Sequence, residues 1–187
     1  EDLNLRDYPV HIKLNTGMNR LGFTEENSKA MFQLLKKTGS VRLASVFSHL
    51  AVSEDWKERE FTLGQIYKFR EIGMQVLREF EQPPLFHICN SSAIFNYPEA
   101  HFDMVRCGLG LYGFANDEKL NASLKPVGTL KTVISQIQEL KEGDSLGYGR
   151  KFIASKPTRI ATLPLGHADG IKRIYGNGKA GVIINDE

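Results

Sequence analysis

The order of apolar and polar residues in the first two thirds of the chain predicts strands that alternate with helices. Residues 10–15 alternate in polarity, as a half-buried strand does, and lead into a glycine-containing loop. Short apolar runs at 43–48 and 85–89 predict two mostly buried strands, and residues 102–106 predict a fourth. Strands separated by helices imply right-handed crossovers and a parallel sheet.

The helices between these strands have recognisable starts. Thr24 precedes two acidic residues and an apolar pattern with helical spacing, which predicts a helix that ends at Gly39. A longer helix, capped by residues 53–55, carries one apolar stripe: Ile66, Phe69, Ile72, Val76 and Phe80. A third helix begins at Asn90, a residue type that caps helices. The first part of the chain therefore has a β/α pattern.

Beyond Gly113 the pattern changes, because residues 116–119 are polar and no helical periodicity follows. Three later segments have the polarity and turn signals of strands: 129–140, 144–153 and 158–165. No helix is predicted between them, so we expect an antiparallel β region. We place one domain at residues 1–120 and a second at 121–187.

Composition narrows the function classes. The 187 residues carry 24 Lys and Arg against 22 Asp and Glu, and a net charge of +2 gives no case for binding nucleic acid or anionic membranes. There is no apolar run long enough to span a membrane and no export signal at the start of the sequence. Cys89 and Cys107 form neither a metal-type pair nor a disulfide framework. We expect a soluble protein of the cytoplasm.

Three histidines lie on successive predicted strands: His11, His49 and His87. Imidazole suits zinc or iron, so the three could form a metal site, but no carboxylate ligand can be placed with them. Buried histidines are also commonly hydrogen-bonded core residues. We expect no metal.

Asn90 and Ser91 offer an amide, a hydroxyl and free backbone N–H groups at a helix start. Unpaired donors and the helix dipole favour a phosphate at such a position. The same residue types cap many helices that bind nothing. Both interpretations stay open on the residues alone.

Three segments together resemble bacterial alanine racemases: residues 10–23, 87–93 and 102–113. These are pyridoxal-phosphate enzymes built on a β/α barrel and a C-terminal β domain. The resemblance implies that residues 1–120 are the later part of a TIM-type barrel and that residues 121–187 are the first strands of the β domain. It also implies a homodimer that interconverts L- and D-alanine for cell-wall precursor supply.

The resemblance assigns roles to particular residues in cofactor binding. Those that would hold the phosphate of pyridoxal phosphate are Asn90, Ser91, Gly108 and Leu109. Arg106 would lie against the pyridine nitrogen and, being permanently charged, would keep that nitrogen unprotonated.

The resemblance also implies catalytic residues. Lys13 matches a lysine that is often carbamylated, and a carbamate would pair with Arg20, the residue for the substrate carboxylate. Tyr148 is the expected second base, serving the neighbouring subunit, with His49 assisting it. This sequence departs from the family pattern at Asn15, where many members carry aspartate, and at His167, where the turn at the substrate entrance has tyrosine.

No counterpart of the family's lysine that binds the cofactor covalently precedes residue 1. We therefore interpret the chain as an internal segment and expect it to be inactive in isolation. Two alternatives stay open: a serine racemase of the vancomycin-resistance type, and a non-catalytic pyridoxal-phosphate-binding barrel protein. The second resembles the barrel alone, so the β region after Thr129 argues against it.

Overall fold

Backbone contacts divide the chain into two units, Glu1–Gly128 and Thr129–Glu187, which are described separately below. The computed structural model describes residues 5–176 and 178–181. The domain boundary expected at residue 120 stays a prediction.

The first unit contains the alternating strands and helices. Its regular elements among the described residues are β1 (Tyr8–Lys13), α1 (Glu25–Lys37), β2 (Val41–Phe47), α2 (Arg59–Glu79), β3 (Leu85–His87), α3 (Ser91–Asn96) and α4 (Glu118–Asn121). Short 3-10 turns lie at Trp56–Glu58, Pro98–Ala100 and Leu109–Tyr112. None of the helices in the described part of the chain is long and apolar enough to cross a membrane.

The three strands form one sheet in the order β1-β2-β3, and both strand pairs are parallel. The prediction of a parallel β/α arrangement is confirmed. Lys13 lies opposite Phe47 in the register, and Phe47 lies opposite His87. These residues end their strands, so the loops that follow all start at the same edge of the sheet. Ligands bind at this edge in open α/β sheets and barrels.

The helix α2 packs its predicted apolar stripe into the core. Ile66, Phe69, Ile72 and Val76 are buried. The ring of Phe69 makes edge-to-face contacts with Phe86 and Phe102, at centroid distances of 6.1 and 5.3 Å. Burial of one such side chain stabilises the fold by about 1.5–3 kcal/mol. The core therefore joins α2 to β3 and to the segment that follows it.

The predicted fourth strand at 102–106 is wrong, because this segment is not a strand. Phe102 has a φ of +47°, which no extended strand adopts. The segment nevertheless runs beside β3: the Asp103 N–H donates to the Phe86 carbonyl, and the Arg106 N–H donates to the Cys89 carbonyl, both at 3.1 Å. These bonds place Arg106 next to the end of β3.

Two helix starts were predicted correctly and one was not. The Thr24 hydroxyl accepts from the Asn27 N–H, and the Asn90 side chain accepts from the Ala93 N–H. The predicted cap of α2 at 53–55 is wrong, because Asp55 caps the preceding 3-10 turn and α2 begins at Arg59. Ser53 instead donates to the side-chain oxygen of Asn90, at 2.8 Å.

The second unit is antiparallel β, as predicted. The strands β4 (Gln136–Leu140) and β7 (Thr158–Thr162) pair, and so do β5 (Ser145–Leu146) and β6 (Phe152–Ile153). The prediction of one strand over 144–153 is wrong, because a 3-10 turn at Tyr148–Arg150 interrupts it. The flanking and central glycines, Gly147 and Gly149, have φ values of +72° and +68° that a strand does not tolerate.

Candidate active site

A cavity of about 390 Å³ opens in the first unit near the carboxyl edge of the sheet. Its lining residues are His49, Asn90, Ser91, Ser92, Arg106, Cys107, Gly108, Leu109, Ala115 and Asn116. The volume lies within the range of small-molecule sites. The structure thus brings together His49 and all five residues expected to bind the cofactor. Lys13, Arg20 and Tyr148 do not line this cavity.

Arg106 is held by two histidines and by main-chain carbonyls. Its Nη1 donates to Nδ1 of His87 at 2.5 Å, and its Nη2 donates to Nδ1 of His49 at 3.1 Å and to the Ser48 carbonyl at 2.7 Å. An arginine only donates hydrogen bonds, so both Nδ1 atoms must be acceptors. Each imidazole is therefore neutral at Nδ1 and carries its proton on Nε2. In the described part of the chain no acceptor contacts the Arg106 Nε–H, which is left for a ligand.

The lowered pKa values of His49 and His87 also favour the neutral form of both imidazoles. Burial, followed by the positive charge of Arg106, lowers the pKa of His87 from 6.5 to about 4. Burial and Arg106 also lower the pKa of His49, with smaller contributions from Lys13 and Arg20. Both imidazoles are uncharged at neutral pH, and among the described residues no carboxylate forms a salt bridge with the Arg106 guanidinium.

The histidines are linked by hydrogen bonds rather than gathered around a common point. The Ser45 hydroxyl oxygen lies 2.6 Å from Nδ1 of His11 and 3.2 Å from Nε2 of His87. Among the described residues, no group of three His, Cys, Asp or Glu side chains is arranged to hold a metal ion. His87 and Ser45 belong to this site although the sequence interpretation gave neither a role in it.

On a second side of the cavity, backbone N–H groups point to the Ser91 hydroxyl. The hydroxyl oxygen of Ser91 accepts from the N–H groups of Gly108 and Gly110, at 2.9 and 3.2 Å. The side-chain oxygen of Asn90 accepts from the Ala93 N–H and from the Ser53 hydroxyl, so its NH₂ group faces the remaining surroundings as a donor. The Ser91 hydroxyl hydrogen and this NH₂ group are donors that suit a phosphate.

Gly110 keeps this region closely packed. A Cβ added there would lie 3.1 Å from the sulfur of Cys107 and 3.6 Å from the Cβ of Ser91. The glycine therefore allows the loop after Arg106 to approach the start of α3.

Lys13 and Arg20 lie close in space but outside the cavity lining. The loop between them folds back on β1, because the Phe23 N–H donates to the Lys13 carbonyl at 2.9 Å. Gly22 permits this approach: its φ is +115°, and a Cβ there would lie 2.8 Å from the Leu14 carbonyl carbon. Burial, then Arg20 and Arg106, lower the pKa of Lys13.

Asn15 organises the same loop. Its side-chain oxygen accepts from the N–H groups of Gly17 and Asn19, at 3.2 and 3.0 Å. An aspartate carboxylate accepts the same two bonds, so the departure from the family pattern retains the loop geometry. It leaves the loop without the negative charge that aspartate would bring.

Tyr148 and His167 belong to the second unit. The Tyr148 side chain is fully exposed on the 3-10 turn between β5 and β6. His167 begins a 3-10 turn in which the Asp169 carboxylate accepts from the Gly166 N–H at 2.9 Å. Neither side chain contributes to the cavity described above.

Two family models match the chain in sequence. The alanine racemase N-terminal domain matches residues 2–116, and the alanine racemase C-terminal domain matches residues 127–187. The chain belongs to the alanine racemase family. Both the predicted family and the predicted fold class, the later part of a β/α barrel followed by the first strands of a β domain, are thereby confirmed.

Individual alanine racemases agree with this assignment. Alanine racemase 1 of Clostridium acetobutylicum is 39% identical over 94% of this chain and 46% of its own length, and that of Syntrophobacter fumaroxidans is 39% identical over 90% and 45%. The crystal structure of alanine racemase from D-cycloserine producing Streptomyces lavendulae has a TM-score of 0.85 at 27% identity, over 97% of this chain and 49% of that one. The biosynthetic alanine racemase of Pseudomonas aeruginosa has a TM-score of 0.78 at 30% identity, over 92% and 47%. The chain thus spans about half the length of these relatives.

Proposed function

We propose that this chain is the ring- and phosphate-binding part of a pyridoxal-phosphate-dependent racemase that interconverts L- and D-alanine, for the supply of cell-wall precursors. The observation that best supports this proposal is the environment of the Arg106 guanidinium. Its guanidinium is hydrogen-bonded to two neutral histidines and has no carboxylate partner among the described residues. Arg106 also lines a cavity that contains the Ser91 hydroxyl and the Asn90 amide.

The donors around the cavity fit both ends of this cofactor. The Ser91 hydroxyl and the Asn90 NH₂ group would donate to the phosphate, with the backbone of Gly108 and Leu109 beside them. Arg106 would donate from Nε to the pyridine nitrogen. Pyridoxal phosphate, when bound, supplies the electron withdrawal that acidifies the proton on the substrate α-carbon.

The role of Arg106 is to keep the pyridine nitrogen unprotonated. A guanidinium has no proton to give up near neutral pH and can only donate a hydrogen bond. An unprotonated pyridine ring withdraws electron density less strongly than a protonated one would. This weaker withdrawal would limit side reactions such as transamination. The neutral state of His49 and His87 supports this role, because no acidic partner draws the guanidinium away.

Arg20 would bind the substrate carboxylate, and Lys13 would orient Arg20. The lowered pKa of Lys13 increases its uncharged fraction, and an uncharged amine is the form that reacts with carbon dioxide to give a carbamate. A carbamate on Lys13 would replace the repulsion between two cations with an ion pair that orients Arg20.

Tyr148 would be the base on the opposite face of the substrate α-carbon, with His49 assisting. Racemisation needs proton acceptors on both faces, and the phenol of Tyr148 is fully exposed on its own unit. We infer that it serves the site of a second subunit in a two-fold homodimer. Each site would then take residues from both chains.

The test uses the full gene product that carries this chain. Binding of pyridoxal phosphate is followed by absorbance, and racemisation of L-alanine and of L-serine by enzymatic detection of the D-enantiomers. We expect alanine to be the better substrate. The double variant Asn90→Ala/Ser91→Ala should weaken binding of pyridoxal phosphate at least tenfold, while Ser123→Ala, on the exposed surface, should leave it unchanged.

The same assay separates the alternatives. Preference for serine would favour the serine racemase, and cofactor binding without racemisation would favour a non-catalytic binding protein. The match of residues 127–187 to the C-terminal racemase domain supports the enzyme over the barrel-only class. Failure of the full gene product to bind pyridoxal phosphate would contradict the proposed function.

A further inference from the structure

A buried serine connects two histidines across the three strands of the sheet. Ser45 lies on β2, between His11 on β1 and His87 on β3. Its side chain is 1% exposed, and its hydroxyl oxygen contacts both imidazoles. Ser45 does not line the cavity, so any effect it has on a ligand must pass through its neighbours.

The hydrogen bonds in this row can run in one direction only. Arg106 donates to Nδ1 of His87, so the His87 proton sits on Nε2 and is donated to the Ser45 oxygen. The hydroxyl hydrogen of Ser45 then needs an acceptor. Among the described residues the other atom within reach is Nδ1 of His11, at 2.6 Å, which therefore accepts and leaves the His11 proton on Nε2.

We propose that Ser45 is a positioning residue for Arg106, linking it through His87 to His11 in a single chain of hydrogen bonds. The hydroxyl holds the His87 ring at the angle at which Nδ1 meets the guanidinium. His11, at the far end, fixes the hydroxyl. Ser45 and His11 thus contribute to the orientation of the Arg106 guanidinium, although neither lines the cavity.

The consequence for the cofactor rests on the proposed function. If Arg106 contacts the pyridine nitrogen, loss of the Ser45 hydroxyl leaves the buried His87 N–H without its acceptor. The imidazole then turns, and Arg106 loses a fixed partner. Contact with the ring nitrogen should weaken, whereas the phosphate donors at Asn90 and Ser91 should be unaffected.

The hydrogen-bond chain can be tested without cofactor, by NMR of the full gene product labelled with ¹⁵N-histidine. The wild type should show proton-free Nδ1 and protonated Nε2 for both His11 and His87. Ser45→Ala should convert His11 to a mixture of tautomers, and Ser45→Thr, which keeps the hydroxyl, should retain the wild-type pattern. Ser28→Ala is the control, because it removes a buried hydroxyl on α1 that donates to the Glu25 carbonyl and contacts neither imidazole. A proton on Nδ1 of His87 in the wild type, or an unchanged His11 in Ser45→Ala, would overturn the proposal.

A second measurement isolates the ring nitrogen. The affinity of Ser45→Ala for pyridoxal phosphate should fall about tenfold, while its affinity for the 1-deaza analogue, which has carbon in place of that nitrogen, should match that of the wild type. Equal losses for both ligands would mean a general packing defect and would contradict a positioning role. If the wild type bound neither ligand, the proposed function would fail, and the NMR pattern would still decide for or against the hydrogen-bond chain.

Discussion

The ring of Phe47 lies nearly parallel to the imidazole of His87, with centroids 5.1 Å apart and 9° between the planes. The guanidinium carbon of Arg106 lies 5.5 Å from the centroid of the same Phe47 ring. One aromatic side chain therefore covers both members of the Arg106–His87 pair. The ring contributes to the burial of the imidazole, and burial is the largest cause of the lowered pKa of His87.

The low pKa of His87 makes stability depend on pH. In the unfolded chain His87 takes up a proton near pH 6.5, but in the folded chain it resists protonation until about pH 4. Its contribution is therefore present above pH 6.5 and is lost as pH falls towards 4, by up to about 3 kcal/mol. Urea unfolding across this range should show a shallower pH dependence for His87→Gln than for the wild type. Equal slopes would contradict the assignment.

Phe69 should be among the positions most sensitive to truncation. It is fully buried and packs on Phe86 and Phe102. Phe69→Ala should lower the free energy of unfolding by about 3–5 kcal/mol. Tyr67→Ala, on the same helix but 60% exposed, should change it by less than about 0.5 kcal/mol. Similar losses in the two variants would show that α2 does not face the core as described.

Substitution of Gly22 should weaken substrate binding more than cofactor binding. A side chain there would collide with the backbone at Leu14 and displace the loop that carries Arg20. Gly22→Ala in the full gene product should raise the KM for alanine at least tenfold and leave affinity for pyridoxal phosphate near that of the wild type. Gly39→Ala, where a Cβ meets nothing within 4 Å, is the control. Loss of cofactor affinity in Gly22→Ala would separate Arg20 from the substrate role.

The two cysteines should differ in reactivity. Burial raises the pKa of Cys89 to about 11, and its thiol donates to the Ala100 carbonyl at 3.1 Å, so it should resist iodoacetamide in the folded protein. Cys107 is half-buried and lines the cavity. Its alkylation, followed by mass spectrometry, should slow when pyridoxal phosphate is added. Unchanged alkylation at saturating cofactor would place the cofactor elsewhere.

Tyr148 offers a test of shared sites. Tyr148→Phe should slow racemisation by at least a hundredfold, mainly from one enantiomer, without loss of cofactor binding. Arg106→Ala should also be nearly inactive. When the two variants are mixed and allowed to exchange subunits, a hybrid dimer has one site with both residues intact, so activity should reappear. Mixtures that stay inactive despite verified exchange would mean that Tyr148 acts within its own chain or not at all.

The sequence was sufficient for features that depend on local patterns. The stripe of α2, the cap at Thr24 and the three parallel strands follow from spacing and residue type, and each is present. The motif resemblance singled out His49 and the five residues expected to bind the cofactor, and all six line one cavity. The prediction for the segment at 102–106 was wrong because its residue pattern is that of a strand, whereas Phe102 adopts a positive φ and packs its ring against Phe69.

Long-range hydrogen bonds account for what the sequence could not predict. Ser45 lies within an apolar run that predicts an ordinary strand. Its hydroxyl nevertheless forms hydrogen bonds with His11 and His87, which are 34 and 42 positions away in the sequence. Ser53 was read as a helix cap and instead fixes the amide of Asn90, 37 positions later. A polar residue inside a buried strand was the available signal, since a hydroxyl there needs a partner.

The substitution at Asn15 has a consequence for encounter with ligands. No carboxylate forms a salt bridge with Lys13, Arg20 or Arg106 in the part of the chain that the structure describes. The charges of Arg20 and Arg106 already lower the pKa of Lys13. The three cations should therefore give this edge of the sheet a positive electrostatic potential, which an aspartate at position 15 would reduce. This potential would steer diffusing anions, such as phosphates and carboxylates, towards the edge of the sheet. Their association rates should therefore decrease as ionic strength rises, since salt shortens the range of this attraction.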